Sequence, residues 1–138
     1  PRPLEPTPML DTYADAIADL EPADGEVETA ELIVTDDVLV KAFALGPAAE
    51  LEVHDHADST NVFHVLEGTV TVVQDEERER VDAPGVVHHE RGVAHGARNE
   101  TDETVLFTAS SVRCRPKTMR KRNRVRSGRP NTARRRTW

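Results

Sequence analysis

The sequence predicts an all-β fold preceded by one short helix. From about residue 26 to residue 112, apolar and polar residues alternate with period two in strand-length runs rich in Val, Leu and Thr. Gly, Pro, Asp or Asn interrupts these runs at short intervals, and no helical periodicity separates them. Many short strands without crossover helices build an antiparallel sandwich or barrel.

Residues 1–8 contain four prolines and are read as extended. In "PMLDTYADAIADLEP", Met9 or Leu10, Tyr13, Ile17 and Leu20 recur at three- and four-residue steps, and Pro8 suits a first helical turn. A short amphipathic helix is therefore expected over about 8–20, stopped by Pro22 and Gly25. The segments "TAELIVTDD", "VLVKAFAL", "AELEVHDH", "NVFHVLEG", "TVTVVQD", "ERERVDAP", "VVHHERG" and "ETVLFTASSV" follow as expected strands. "DEERER", residues 75–80, reads as a solvated hairpin tip with mixed charge. This gives an N-terminal extension with the helix (1–25), a β-domain (26–112) and a basic tail (113–138).

Charge divides the chain sharply. All 25 acidic residues lie at or before Glu103, against six basic residues before position 113, so residues 1–112 carry 6 − 25 = −19. The tail holds the other 12 basic residues and no acid. An acidic domain of this kind repels nucleic acid and resembles the surfaces of proteins from salt-loving archaea, where salt screens self-repulsion. The tail is expected to stay disordered. Its composition fits a basic arm for nucleic acid, a sequence read out of frame, or a segment attracted to the domain's own acidic surface.

One cysteine, Cys114, allows no internal disulfide and fits a reducing, cytoplasmic setting. No run of 18 apolar residues is present, so no membrane span is expected. Phosphate-binding loops, dinucleotide fingerprints and nucleophile motifs are absent, and Ser59 reads as a loop residue.

The chemistry-bearing residues are the histidines. In "LEVHDH", His54 and His56 stand two apart on an expected strand, so they leave one face, with Glu52 and Glu50 continuing that row. Two such imidazoles can chelate one divalent ion. His64 lies three residues from Asn61 and faces the opposite side of its strand. His88 and His89 are adjacent, so one of them faces inward, and the sequence leaves open which.

Taken together, these segments resemble the two signature motifs of the cupin superfamily. Gly46, His54, His56, Asn61 and Gly68 take the places of the first motif, with four residues before Asn61 and six after it. Gly85, Gly92, His95 and Asn99 take those of the second, in "GVVHHERGVAHGARN". The spacer from Gly46 to His54 is two residues longer than usual, the one after Gly85 is one short, and Glu90 replaces a proline. The resemblance implies a small jelly-roll barrel of two antiparallel sheets. It also implies a metal site made by His54, His56 and His95, with Asn61 where the family has glutamate. Three neutral imidazoles suit Fe, Mn, Ni, Cu or Zn as divalent ions. With an amide for a carboxylate the ion keeps its full charge and is held more weakly, which leaves three readings open: a three-histidine site with Asn61 beside it, a site completed by another acid such as Glu52, or a barrel without metal. The expected partners are a small-molecule ligand and, to cover sheet edges, a second copy of the chain as a homodimer.

Overall fold

The structure, a computed structural model, describes residues 10–113. Pro8 and Met9 at the expected helix start and the basic tail from Cys114 onward lie outside the described residues, whereas Arg113 closes the last strand. Among the described residues the elements are one helix, α1 (Ala14–Ala18), and nine strands. The strands are β1 (Val27–Val34), β2 (Val38–Leu45), β3 (Glu50–His54), β4 (Ser59–Glu67), β5 (Thr69–Gln74), β6 (Glu77–Asp82), β7 (Gly85–His89), β8 (His95–Arg98) and β9 (Val105–Arg113). They form a five-stranded sheet of order β1-β2-β9-β4-β7 and a four-stranded sheet of order β3-β8-β5-β6. Every ladder is antiparallel. The fold is the all-β antiparallel sandwich that the alternation predicts, in the jelly-roll form that the cupin resemblance implies.

Eight of the nine strands coincide with expected segments. The ninth, β8, is only "HGAR", too short and too poor in alternation to be read as a strand. Its neighbours make it one, because β3 and β5 hydrogen-bond to it on either side. The helix is shorter than the periodicity implies. Tyr13 takes a left-handed backbone (φ 56°), which a right-handed helix cannot continue through, so α1 starts only at Ala14. Asp75 and Glu76 form the turn between β5 and β6, and the exposed "ERER" that follows is strand β6 rather than hairpin tip.

From β2 to β9 the chain crosses repeatedly between the sheets, β2 to β3, β3 to β4, β4 to β5, β6 to β7, β7 to β8 and β8 to β9. Between β4 and β5 the crossing takes one residue, Gly68, whose φ of +82° is a conformation that side chains disfavour. Gly46, before β3, has a different reason to lack a side chain, since a Cβ there would collide with the Ala23 carbonyl. Between the sheets lies the core of Phe43, Leu45, Phe63, Val65, Val70, Val72, Val105 and Phe107. The three phenylalanines form a chain, with Phe107 4.8 Å from Phe63 and 5.3 Å from Phe43 between ring centroids. Ile17, Ala18 and Leu20 lie over Ala44 and Leu106 on the outer side of the larger sheet, around a 170 Å³ cavity.

Candidate metal centre

His54 ends β3 and His95 begins β8, and the two are register partners across the ladder, so their rings stand side by side. The register shifts between Leu51 and His54, which places a bulge in β3 just before the first histidine. Leu51 packs toward the core three residues earlier, a spacing that plain alternation would not put on one face. The bulge also removes Glu52 from the row predicted for it. Its side chain is exposed, and it contributes its backbone carbonyl, which accepts from His54 Nδ1 at 2.9 Å. Glu52 is not among the residues whose ligand atoms gather here.

His56 follows in the loop after β3, where its carbonyl accepts the Gly92 N–H at 2.9 Å and ties the loop to the β7–β8 turn. Ring centroids are 4.8 Å apart for His54 and His95, 5.1 Å for His54 and His56, and 6.1 Å for His56 and His95. One nitrogen from each of the three lies within 4.8 Å of the others, the spacing of a group able to hold one metal ion.

The tautomers suit that use. His95 Nδ1 donates to the Val93 carbonyl at 3.0 Å, as His54 Nδ1 does to Glu52, so the neutral tautomer these bonds select carries its lone pair on Nε2. Both Nε2 atoms are buried with no hydrogen-bond partner. Burial holds the pKa of His95 below its ordinary value, the Val93 hydrogen bond opposes this, and the His54 and His56 charges lower it further. His56 is also lowered, by burial first and then by His54, against the raising effect of Asp58 and Asp55. Neutral imidazoles with free Nε2 lone pairs are the form that binds a metal.

Asn61 faces the interior from β4, in the larger sheet, and is 1% exposed. Neither its Oδ1 nor its Nδ2 has a partner. On the neighbouring strand its register partner is His89, which is therefore the inward member of the adjacent pair, fully buried, while His88 is exposed. His89 stacks on His95, with centroids 4.4 Å apart and planes 5° from parallel. Its Nδ1 donates to Gln74 Oε1 at 2.7 Å, and its Nε2 has no partner. Burial, then the charges of His95, His88 and His54, lowers its pKa to about 4.

His64 is exposed, as its parity predicts. Ser59 is not a loop residue. It opens β4, is buried, and accepts a hydrogen bond from Ser111 Oγ at 3.0 Å. Sequence reasoning missed Gln74, which sits in register with His95 and reaches across to His89. The available signal was a polar residue closing the otherwise apolar inner face of "TVTVVQ".

The sequence matches the cupin domain family over residues 42–110, half of the chain. The chain belongs to the cupin superfamily. No curated protein sequence matches it. Among solved structures this cupin is similar to the TT1209 protein of Thermus thermophilus, at 25% identity and a TM-score of 0.65, over 72% of this chain and 93% of that one. It is also similar to a protein with a double-stranded β-helix domain from Klebsiella pneumoniae, at 19% identity and a TM-score of 0.67, over 78% and 91% of the two chains. A third similar structure, from Thermotoga maritima, is described as a predicted oxalate decarboxylase, with 21% identity and a TM-score of 0.63 over 65% and 83%. These likenesses concern the fold. Among the described residues, no helix is long and apolar enough to cross a membrane.

Proposed function

We propose that this cupin binds a divalent transition metal through His54, His56 and His95 and presents a small-molecule ligand to it inside the barrel. The observation that carries the reading is the pair of facing imidazoles, His54 and His95, whose Nδ1 atoms are engaged by backbone carbonyls while their buried Nε2 atoms have no partner. A buried acceptor left without a donor costs about 1–3 kcal/mol, so a site that gathers two of them is built for something that fills them. When bound, the metal supplies Lewis-acid or oxygen-using chemistry at whatever positions three histidines leave open.

The protein's own contribution is to orient the rings, to favour the neutral form of His56 and His95 by burial, and to line the opposite wall with Asn61 and His89. Asn61 in this reading faces the ion or its ligand with an amide instead of a carboxylate. That substitution favours a second reading, in which the barrel binds or senses a small molecule without turning it over. Metal analysis of the purified protein is the first test: about one equivalent is expected, and it is lost in His95→Ala. A wild-type protein without stoichiometric metal, or a His95→Ala variant that retains it, overturns the reading. Turnover of ligands by the loaded protein then separates the enzyme from the sensor. A homodimer completes the proposal, supported by β1, an outer strand of the larger sheet that exposes Ile33 and Val34.

A further inference from the structure

Across from the three histidines, the larger sheet presents two polar side chains that no sequence motif explains as a pair. Asn61 on β4 and His89 on β7 are register partners, so their side chains leave the same face, toward the barrel interior. Both are almost fully buried, and together they leave three polar atoms without partners: Asn61 Oδ1, Asn61 Nδ2 and His89 Nε2.

His89 cannot easily turn away. It is stacked on His95 at 4.4 Å, meets Phe63 edge-on at 4.7 Å, and is tethered through Nδ1 to Gln74. An amide oxygen only accepts, so Nδ1 carries the ring proton and Nε2 offers a lone pair. The pair thus offers two acceptors, His89 Nε2 and Asn61 Oδ1, and a donor, Asn61 Nδ2. A ligand carrying oxygen lone pairs alone would set acceptor against acceptor at His89. One with a hydroxyl would satisfy it.

Charge adds a second requirement. Three neutral imidazoles and an amide leave a divalent ion uncompensated, so the centre favours an anionic ligand. We infer that His89 accepts a hydrogen bond from a hydroxyl of the ligand and that, with Asn61, it fits the pocket to a small α-hydroxy acid. The inference rests on the three-histidine metal reading.

The test compares glycolate with methoxyacetate, which differ by a methyl group in place of the hydroxyl proton. Both are titrated into Co²⁺-loaded wild type, His89→Phe and His89→Gln, and the visible Co²⁺ band is followed. The wild-type preference for glycolate should fall about tenfold in His89→Phe and return in His89→Gln, whose amide oxygen restores an acceptor. Co²⁺ affinity should stay within about threefold throughout. An unchanged preference in His89→Phe overturns the inference and leaves the metal reading intact. A collapse of Co²⁺ affinity in that variant also overturns it, because His89 would then be a ligand. Wild type that takes up no Co²⁺ overturns the metal reading itself. Should His89→Phe not fold, Gln74→Met frees the His89 tautomer. The preference must then fall there, and a preference kept in full counts against the inference.

Discussion

Two buried asparagines show how a side chain's role is read from its partners. Asn99 donates to the carbonyls of Leu45 at 2.9 Å and Glu103 at 2.7 Å, and accepts from the Thr101 N–H at 2.9 Å and hydroxyl at 2.7 Å. It is a clamp between β2 and the β8–β9 loop, with its hydrogen-bonding capacity in use. Asn61 is as deeply buried and has no partner for either amide atom. An unpaired buried amide is expensive, so the position is best understood as facing a ligand. If the missing carboxylate is what weakens the centre, Asn61→Glu should bind Zn²⁺ at least about tenfold more tightly in competition with a chelator. Equal affinity would remove the charge argument. The histidines predict a pH dependence as well. In the folded metal-free protein, His89 titrates near about 4, while His56 and His95 are also held below their ordinary value. The unfolded chain takes up these protons near pH 6.5 and so binds more of them, which makes stability fall as pH drops below about 6.5 and keep falling toward 4. Urea midpoints of the metal-free protein should decline over that window, and less steeply in His89→Phe, by up to one proton's worth of slope. Equal slopes would mean that the neutral state of His89 contributes nothing to folding.

At the scale of elements, the decisive features are where strands start, shift and change sheets. Gly68 carries the chain from β4 in one sheet to β5 in the other with a positive φ, and a Cβ there would lie 3.0 Å from the Thr104 carbonyl. Gly68→Ala should therefore cost about 1–2 kcal/mol or more in denaturant unfolding, and a variant as stable as wild type would show that the crossing tolerates a side chain. Alternation in the sequence marked strands such as β4 and β9 most clearly, because they bury one face and wet the other. It could not reveal β8, whose four residues are nearly all buried and whose pairing comes from β3 and β5. Nor could it reveal the bulge in β3, which turns Glu52 away while keeping His54 beside His95. The motif spacing picked out His54, His56 and His95, the three histidines whose ring nitrogens gather within 4.8 Å, because a motif depends on residue type at fixed positions. His89 was ambiguous for the opposite reason: adjacent residues on a strand differ only in register, which is set by the pairing of β7 with β4.

At the scale of the molecule, charge is the dominant unresolved tension. With 25 acidic and six basic residues before position 113, most carboxylates have no cation to pair with inside that segment. Among the described residues, the ion pairs of Arg98 with Glu50 and of Arg113 with Asp58 are both 3.9 Å long and partly exposed, a class worth at most about 1 kcal/mol each. Repulsion therefore outweighs attraction in the folded domain. Salt shortens the screening length from about 10 Å at 0.1 M to about 3 Å at 1 M, which weakens repulsion over many pairs and sacrifices few favourable contacts. The melting temperature of the full chain should rise by about 5 °C or more between those salt concentrations. The same screening acts between copies: two chains of net charge −7 repel, so the proposed dimer should gain population in sedimentation as salt increases. A melting temperature that falls with salt would mean that specific ion pairs, including any made with the basic tail, outweigh the acidic surface. A monomer at every salt concentration would remove the dimer and leave the barrel and its histidine centre as they are.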